Sequence, residues 1–107
     1  MPSPSTIDTL VQQAMQLLHA GDAAAAAAAL REAIAVADGT GDGIASGETR
    51  VFLAELLVEH ELDLTEAKAL LEKALRLATT YAAEADRVGP WRLAASQLLL
   101  ALEKAGV

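Results

Sequence analysis

The sequence has no cysteine, and only three prolines and three aromatic residues occur among its 107 positions. Without cysteine there is neither a disulfide framework nor a thiolate metal site, so packing alone must hold the fold, and a reducing cytosol suits such a chain. No segment approaches the roughly 18 apolar residues of a membrane span. The amino end, residues 1–5, lacks the basic and apolar parts of a signal peptide. We therefore expect a cytoplasmic protein.

Positive charge is also scarce, with 8 Lys and Arg against 15 Asp and Glu and a net charge of −7. A surface of this sign repels phosphate backbones and anionic lipid head groups, so we expect neither nucleic acid nor a membrane as partner. What is abundant is alanine, which supplies much of the 53% hydrophobic content. Alanine is the best helix former and fills little volume, which favours closely packed helices. The length predicts a single domain, 1–107.

Capping residues divide the first part of the chain into two predicted helices. Ser5 with Asp8 is typical of a helix start, and apolar residues then recur at helical spacing until Gly21. Asp22 is placed to cap a second helix that ends at Gly39. The short turn between them predicts an antiparallel hairpin.

A glycine-rich stretch follows, and we expect a flexible loop over residues 39–47, or a loosely wound helix start, with Asp42 or Ser46 as the cap of a third helix. That helix should end near Glu61. The pair Asp63 and Glu66 predicts a capping box that opens a fourth helix.

The last segment starts at a Gly-Pro pair. Proline suits the first position of a helix, so Pro90 predicts a fifth helix from about Trp91 to Ala105. Trp91 is expected to cover the end of the core, with contact to a partner as the alternative.

An internal repeat is the strongest signal in the chain. A shift of 41 positions, from His19 to His60, superposes two helix pairs. A shift of 85 places Gly21 on Gly106 and makes the fifth helix the start of a third, unfinished repeat. The predicted organisation is repeat 1 over 6–38, a loop over 39–47, repeat 2 over 48–85 and a closing helix over 90–106. The matched residues are His19, Asp22, Ala26, Ala28, Leu30, Ala33 and Ala37 with His60, Asp63, Ala67, Ala69, Leu71, Ala74 and Ala78.

The repeat resembles the tetratricopeptide family, whose hairpins place small residues where the two helices meet. The matching small residues are Ala26, Ala33, Ala67 and Ala74, and Leu30 and Leu71 stand at the large position between them. The resemblance implies an all-α fold of antiparallel hairpins stacked as a short right-handed superhelix, with two repeats plus a closing helix.

The chain departs from the family pattern at three points. Glu55 stands where glycine or alanine is usual, no proline closes either repeat, and the spacing exceeds the usual ~34 residues. A generic antiparallel helical bundle is the alternative fold.

The same resemblance implies a concave, mostly apolar groove lined by the first helix of each repeat. Such a groove accommodates a peptide or partner helix, or buries itself against another copy. The alternative is that some of these residues, Leu18 and Leu56 especially, simply pack on neighbouring helices. The basic clamp with which some family members hold a chaperone tail is missing, because nonpolar residues or glutamine occupy its positions. The expected groove residues are Val11, Met15, Leu18, His19, Phe52, Leu56, Glu59, His60, Ser96, Leu100, Glu103 and Lys104.

Two patterns suggest metal binding only weakly. His19 and His60 occupy equivalent positions, but histidines near helix C-termini also interact favourably with the helix dipole. Residues 38–49 approach a calcium-loop pattern, yet Thr49 replaces the glutamate that closes such a site. We expect no metal and no cofactor. No nucleophile with a base, acid pair or phosphate loop is found, so we expect no enzyme.

The sequence thus predicts a non-enzymatic protein–protein interaction module. The alternative is a self-associating scaffold, natural or designed, that forms a homodimer or larger assembly. A helical bundle that holds a small apolar ligand is a third class, which close alanine packing disfavours.

The proposed hairpin register is testable at its small positions. Replacement of Ala33 or Ala74 by leucine should overpack a helix crossing and lower the free energy of unfolding by about 1–3 kcal/mol, measured by urea denaturation. If both substitutions were neutral, the close-packed register would be wrong.

Overall fold

The computed structural model of the protein describes residues 4–107, with side chains described from Thr6 onward. Residues 4–107 contain five α-helices, one short 3-10 helix and no β-strand, which confirms the all-helical prediction. The α-helices are α1 (Pro4–His19), α2 (Ala23–Thr40), α3 (Gly43–Glu59), α4 (Leu64–Thr80) and α5 (Ala85–Lys104), and the 3-10 helix spans Ala82–Glu84.

Aspartate caps and tight turns join the first four helices into two hairpins. Gly21, in the left-handed region at φ 84°, ends the first turn, and the Asp22 carboxylate accepts a hydrogen bond from the Ala25 amide at 3.0 Å. These caps satisfy backbone amides that a helix start leaves unpaired. Because α1 begins at Pro4, Ser5 lies inside the helix, and the prediction of an N-cap at Ser5 is wrong.

The second hairpin repeats this arrangement with one difference. The Asp63 carboxylate accepts a hydrogen bond from the Glu66 amide at 2.9 Å, as the sequence predicts. The Glu66 side chain, however, accepts two hydrogen bonds from Arg31 on α2, at 2.9 Å from Nε and 2.7 Å from Nη2. This bidentate ion pair links the second helices of the two hairpins.

The prediction of a loop over residues 39–47 is wrong, because most of these residues lie in helices. Helix α2 continues through Thr40, Gly41 ends it at φ 74°, and Asp42 caps α3, which already begins at Gly43. The cap is one of the two that the sequence suggests, since the Asp42 carboxylate accepts from the Ala45 amide at 3.1 Å. The connection between α2 and α3 therefore consists of Gly41 and Asp42 alone and is shorter than the turns inside the hairpins.

The glycines of this stretch fit helix α3 because aromatic rings occupy the space beside them. A β-carbon at Gly43 would overlap the ring of Tyr81, and one at Gly47 would overlap the indole of Trp91. Gly47 is itself buried inside α3. Glycine here provides room for close packing, and the loop prediction failed because glycine also marks turns.

Helix α5 starts earlier than its proline predicts. It begins at Ala85 and contains Pro90 in its second turn, so the predicted first position for Pro90 is wrong. Proline there removes one backbone hydrogen bond. Val88 and Trp91, one turn apart and exposed by only 2% and 5%, anchor this part of the helix in the core.

Helix α3 lies at the centre of the molecule and packs against α2, α4 and α5. The main core cluster includes the fully buried Leu30, Leu53, Leu57 and Leu71, with Trp91 among them rather than on a partner surface. The alanines predicted at the helix crossings are all fully buried: Ala26, Ala33, Ala67 and Ala74.

A smaller apolar cluster lies between the amino-terminal half of α1 and the second half of α2. It contains Ile7, Leu10, Ala33 and Ala37, and Val11 packs against both this cluster and the main core. Principal extents of 41 × 37 × 20 Å describe a flat stack. Among the described residues, no helix combines the length and apolar character that a bilayer crossing requires.

The packing role of Gly47 predicts opposite effects for two helical glycines. Gly47→Ala should lower the free energy of unfolding by about 1–3 kcal/mol, because the new methyl group displaces the Trp91 ring. Gly39→Ala is the matched control, since nothing lies within 4 Å of the added carbon, and it should stabilise by about 0.5–1 kcal/mol. Chemical denaturation measures both. A gain at Gly47 equal to that at Gly39 would contradict the packing role.

Candidate functional site

Two shallow grooves lie next to each other along α3 and share the lining residues Glu55 and Glu59. The first, between α1 and α3, has a volume of about 220 Å3 and is lined by Leu18, Phe52, Glu55, Leu56, Glu59 and His60. The second, between α3 and α5, has a volume of about 470 Å3 and is lined by Glu55, Val58, Glu59, Ala94, Gln97, Leu98 and Ala101. Small and branched apolar side chains supply much of both surfaces.

The structure brings together one part of the predicted groove. Leu18, Phe52, Leu56, Glu59 and His60 all line the α1–α3 groove. Leu56 is only 2% exposed, so it serves mainly as core, which is the alternative considered for it.

The remaining α1 residues of the predicted set lie elsewhere. Val11 is half-buried against the core, and Met15, although 45% exposed, lines neither groove. His19 is exposed at the end of α1 and does not join His60 in the groove.

The α5 part of the prediction does not match the lining residues. Ser96, Leu100, Glu103 and Lys104 are exposed and line neither groove. Helix α5 instead presents Ala94, Gln97, Leu98 and Ala101 to α3. The rotation of α5 is set by its buried residues Val88, Trp91, Ala95 and Leu102. The 85-residue shift aligned the helix ends but carried no information on this rotation.

On α3, Glu55 and Val58 were not among the predicted groove residues, and of these two Glu55 carries the charge. It appeared only as a departure from the family pattern, yet Glu55 and Glu59 line both grooves and form the ridge between them. Residues four apart on a helix are neighbours on its surface. That spacing, on either side of the buried Leu56, was the signal available in the sequence.

The environment of Glu55 disfavours its charge. Partial burial raises the pKa of the Glu55 carboxyl above its ordinary value, and the negative charge of Glu59 adds to the effect. The residue is nonetheless exposed overall, so solvent limits the size of the shift. Neither Glu55 nor Glu59 forms an ion pair with another described side chain.

The residues of the calcium-like pattern lie in α2, in α3 or, for Asp42, at the cap between them. Asp38 and Thr40 lie in α2, whereas Ser46 and Thr49 lie in α3. The Ser46 hydroxyl donates a hydrogen bond to Asp38 at 2.6 Å, and Arg50 pairs with Asp38 at 3.1 Å. The Arg50 guanidinium and then the Ser46 hydroxyl lower the pKa of Asp38 against its partial burial. This network joins α2 to α3.

No three His, Cys, Asp or Glu side chains in the described part of the chain converge as a metal site would require. Glu55, Glu59 and His60 all line the α1–α3 groove, but they do not converge as metal ligands would.

Comparison with protein-family models, curated proteins and solved structures gave no match to this chain. No relative therefore suggests a function, and the proposals depend on the grooves themselves.

The raised pKa of Glu55 gives a pH-dependent prediction. The folded state holds the Glu55 proton more tightly than the unfolded state, so wild-type stability decreases as the pH rises through this pKa. Glu55→Gln should therefore stabilise at pH 7, by about 0.2–0.5 kcal/mol, the size of a like-charge contact on a helix. The gain should shrink below pH 4.5, the ordinary value for the group.

Urea denaturation at neutral and acidic pH measures this difference. Glu32→Gln, on the exposed surface of α2 and without a charged residue three or four positions away, removes the same charge and is the matched control. An equal gain in the control would assign the effect to net charge rather than to the setting of Glu55.

Proposed function

We propose that this chain is a tetratricopeptide-like module that binds a peptide or a partner helix, without chemistry of its own. The two hairpins pack in chain order and α5 packs on α3 and α4, as in a stack of two repeats closed by a further helix. The small–large–small sets around Leu30 and Leu71 are fully buried, which supports close-packed hairpins of this kind. We also propose a cytoplasmic location, which suits a cysteine-free chain.

The observation that carries the proposal is the pair of grooves beside α3. Leu18, Phe52 and Leu98 are half-buried there, each with part of its apolar surface open to solvent. Amphipathic helices bind such grooves through side chains spaced one and two turns apart. The net charge of −7 favours a protein partner over nucleic acid or an anionic membrane.

Self-association is the second candidate function, and one observation favours it. Leu93 and Leu100, exposed by 60% and 53%, lie two turns apart on α5, outside both grooves. An exposed apolar face of this kind can pair copies of the chain. The two functions therefore use different surfaces.

One pair of substitutions distinguishes the two surfaces. For a peptide selected from a displayed library of helical sequences, Phe52→Ala should weaken binding about tenfold or more, because it removes a large part of one groove wall. Leu100→Ala should leave binding unchanged. Fluorescence anisotropy with the labelled peptide measures both affinities, and circular dichroism confirms that both variants are folded.

Light scattering over a wide range of protein concentration measures the mass of the particle in solution and so tests for self-association. If the mass rises with concentration, and Leu100→Ala returns it to that of one chain, self-association rather than groove binding would be the supported function. Selected peptides that bind Phe52→Ala as tightly as wild type would also contradict the groove.

A further inference from the structure

The ridge of Glu55 and Glu59 specifies a partner more closely than the apolar grooves alone. We propose that the groove pair binds an amphipathic helix of another protein that carries a lysine or arginine between two apolar anchors. The cation lies between the two carboxylates, and one anchor enters the groove on each side of the ridge. This inference depends on the proposed groove binding and names its partner.

The grooves contain negative charge that no described lysine or arginine compensates, and His60, which lines the first groove, forms no ion pair with either glutamate. Of the described residues that line them, two are glutamates and none is lysine or arginine. The arginines that pair with acids do so elsewhere: Arg31 with Glu66, Arg50 with Asp38, and Arg87 with Glu84. A ligand must bring its own positive charge to neutralise the ridge.

The apolar side chains around the two glutamates increase the effect of their charge on the affinity for a ligand. Partial burial already raises the pKa of Glu55, and docking of an apolar helix would remove more water from both carboxylates. A carboxylate left without a partner on desolvation weakens binding. A neutral or acidic helix therefore binds at a cost that a basic helix avoids.

The geometry fits one cation between two anchors. Side chains four residues apart on a helix lie about 5–6 Å apart at their β-carbons, so one ammonium or guanidinium group can reach both carboxylates. Leu18 and Phe52 lie on one side of the ridge, and Ala94 and Leu98 lie on the other. A ligand face of apolar, basic and apolar residues one turn apart matches this order.

A second copy of this chain is a poorer occupant. Each copy carries a net charge of −7, so two copies repel each other before contact. On α5, the residues midway between the exposed Leu93 and Leu100 are Ser96 and Gln97, and neither is basic. The charge on the ridge thus favours a foreign basic helix.

The test uses three synthetic helical peptides of about 18 residues, long enough to be partly helical alone. They are identical except at one central position, which is lysine, glutamine or glutamate and has a leucine one turn away on each side. Fluorescence anisotropy measures their affinity for the wild-type chain and for the double variant E55Q/E59Q. The double variant E61Q/E72Q, with the same net charge and its substitutions outside both grooves, is the control.

The wild-type chain should bind the lysine peptide about threefold to tenfold more tightly than the glutamine peptide, and the glutamate peptide most weakly. In E55Q/E59Q this order should disappear while the glutamine peptide keeps or gains affinity. In E61Q/E72Q the preference for lysine should remain. Higher salt should reduce the preference.

Two results would overturn the inference and are distinguishable from failure of groove binding. Equal affinity for the lysine and glutamine peptides, with both weakened by Phe52→Ala, would reject the basic partner and retain the groove. A lysine preference that persists in E55Q/E59Q would reject the ridge as its source. If none of the three peptides binds, groove binding itself fails together with the inference.

Discussion

Close approach of two aromatic rings to the backbone of α3 is the contact on which the arrangement of the helices depends. Gly43 and Gly47, one turn apart on one face of α3, leave the space that Tyr81 and Trp91 fill. Tyr81 ends α4 and Trp91 lies in α5, so the same face of α3 determines where both later helices sit. Protein interiors tolerate little overlap, so a side chain at either glycine would displace a ring and the helix that carries it. The position of α5 then defines the second groove.

Much of the helical architecture could be predicted from the sequence because its signals are local. Aspartates at Asp22 and Asp63 cap helices through amides three residues away, and alanine periodicity marks the crossings. The stretch over 39–47 could not be predicted in the same way. A glycine looks the same in the sequence whether it ends a helix, as Gly41 does, or makes room for a ring, as Gly47 does. The distinction depends on residues more than thirty positions later in the chain.

The candidate site also contains one part that the sequence could predict and one part that it could not. Its α3 part and Leu18 could be predicted because the repeat relates α1 to α3 directly, and Leu18, Phe52 and Leu56 do meet. The other α1 residues of the predicted set lie outside the groove. Its α5 part could not, because the rotation of α5 follows from the burial of Val88 and Trp91 rather than from the repeat. Glu55 was not predicted as a groove residue for a different reason. A helical wheel correctly gives Glu55 as a solvent-facing position, but it does not show that α1 and α5 place apolar side chains on either side of it.

The division of the buried side chains into two clusters has a consequence for cooperativity. The buried side chains of the smaller cluster, Ile7, Leu10, Ala33 and Ala37, come from α1 and α2, while Ala45 of α3 packs against it and Val11 connects it to the main core. Segments with fewer buried contacts open at a lower free energy than the whole domain. We therefore expect the first turns of α1 to open as a subglobal unit and to exchange their amide protons before the rest of the chain. Leu18, three turns further along α1, stays with the main core, so the groove wall survives this fraying.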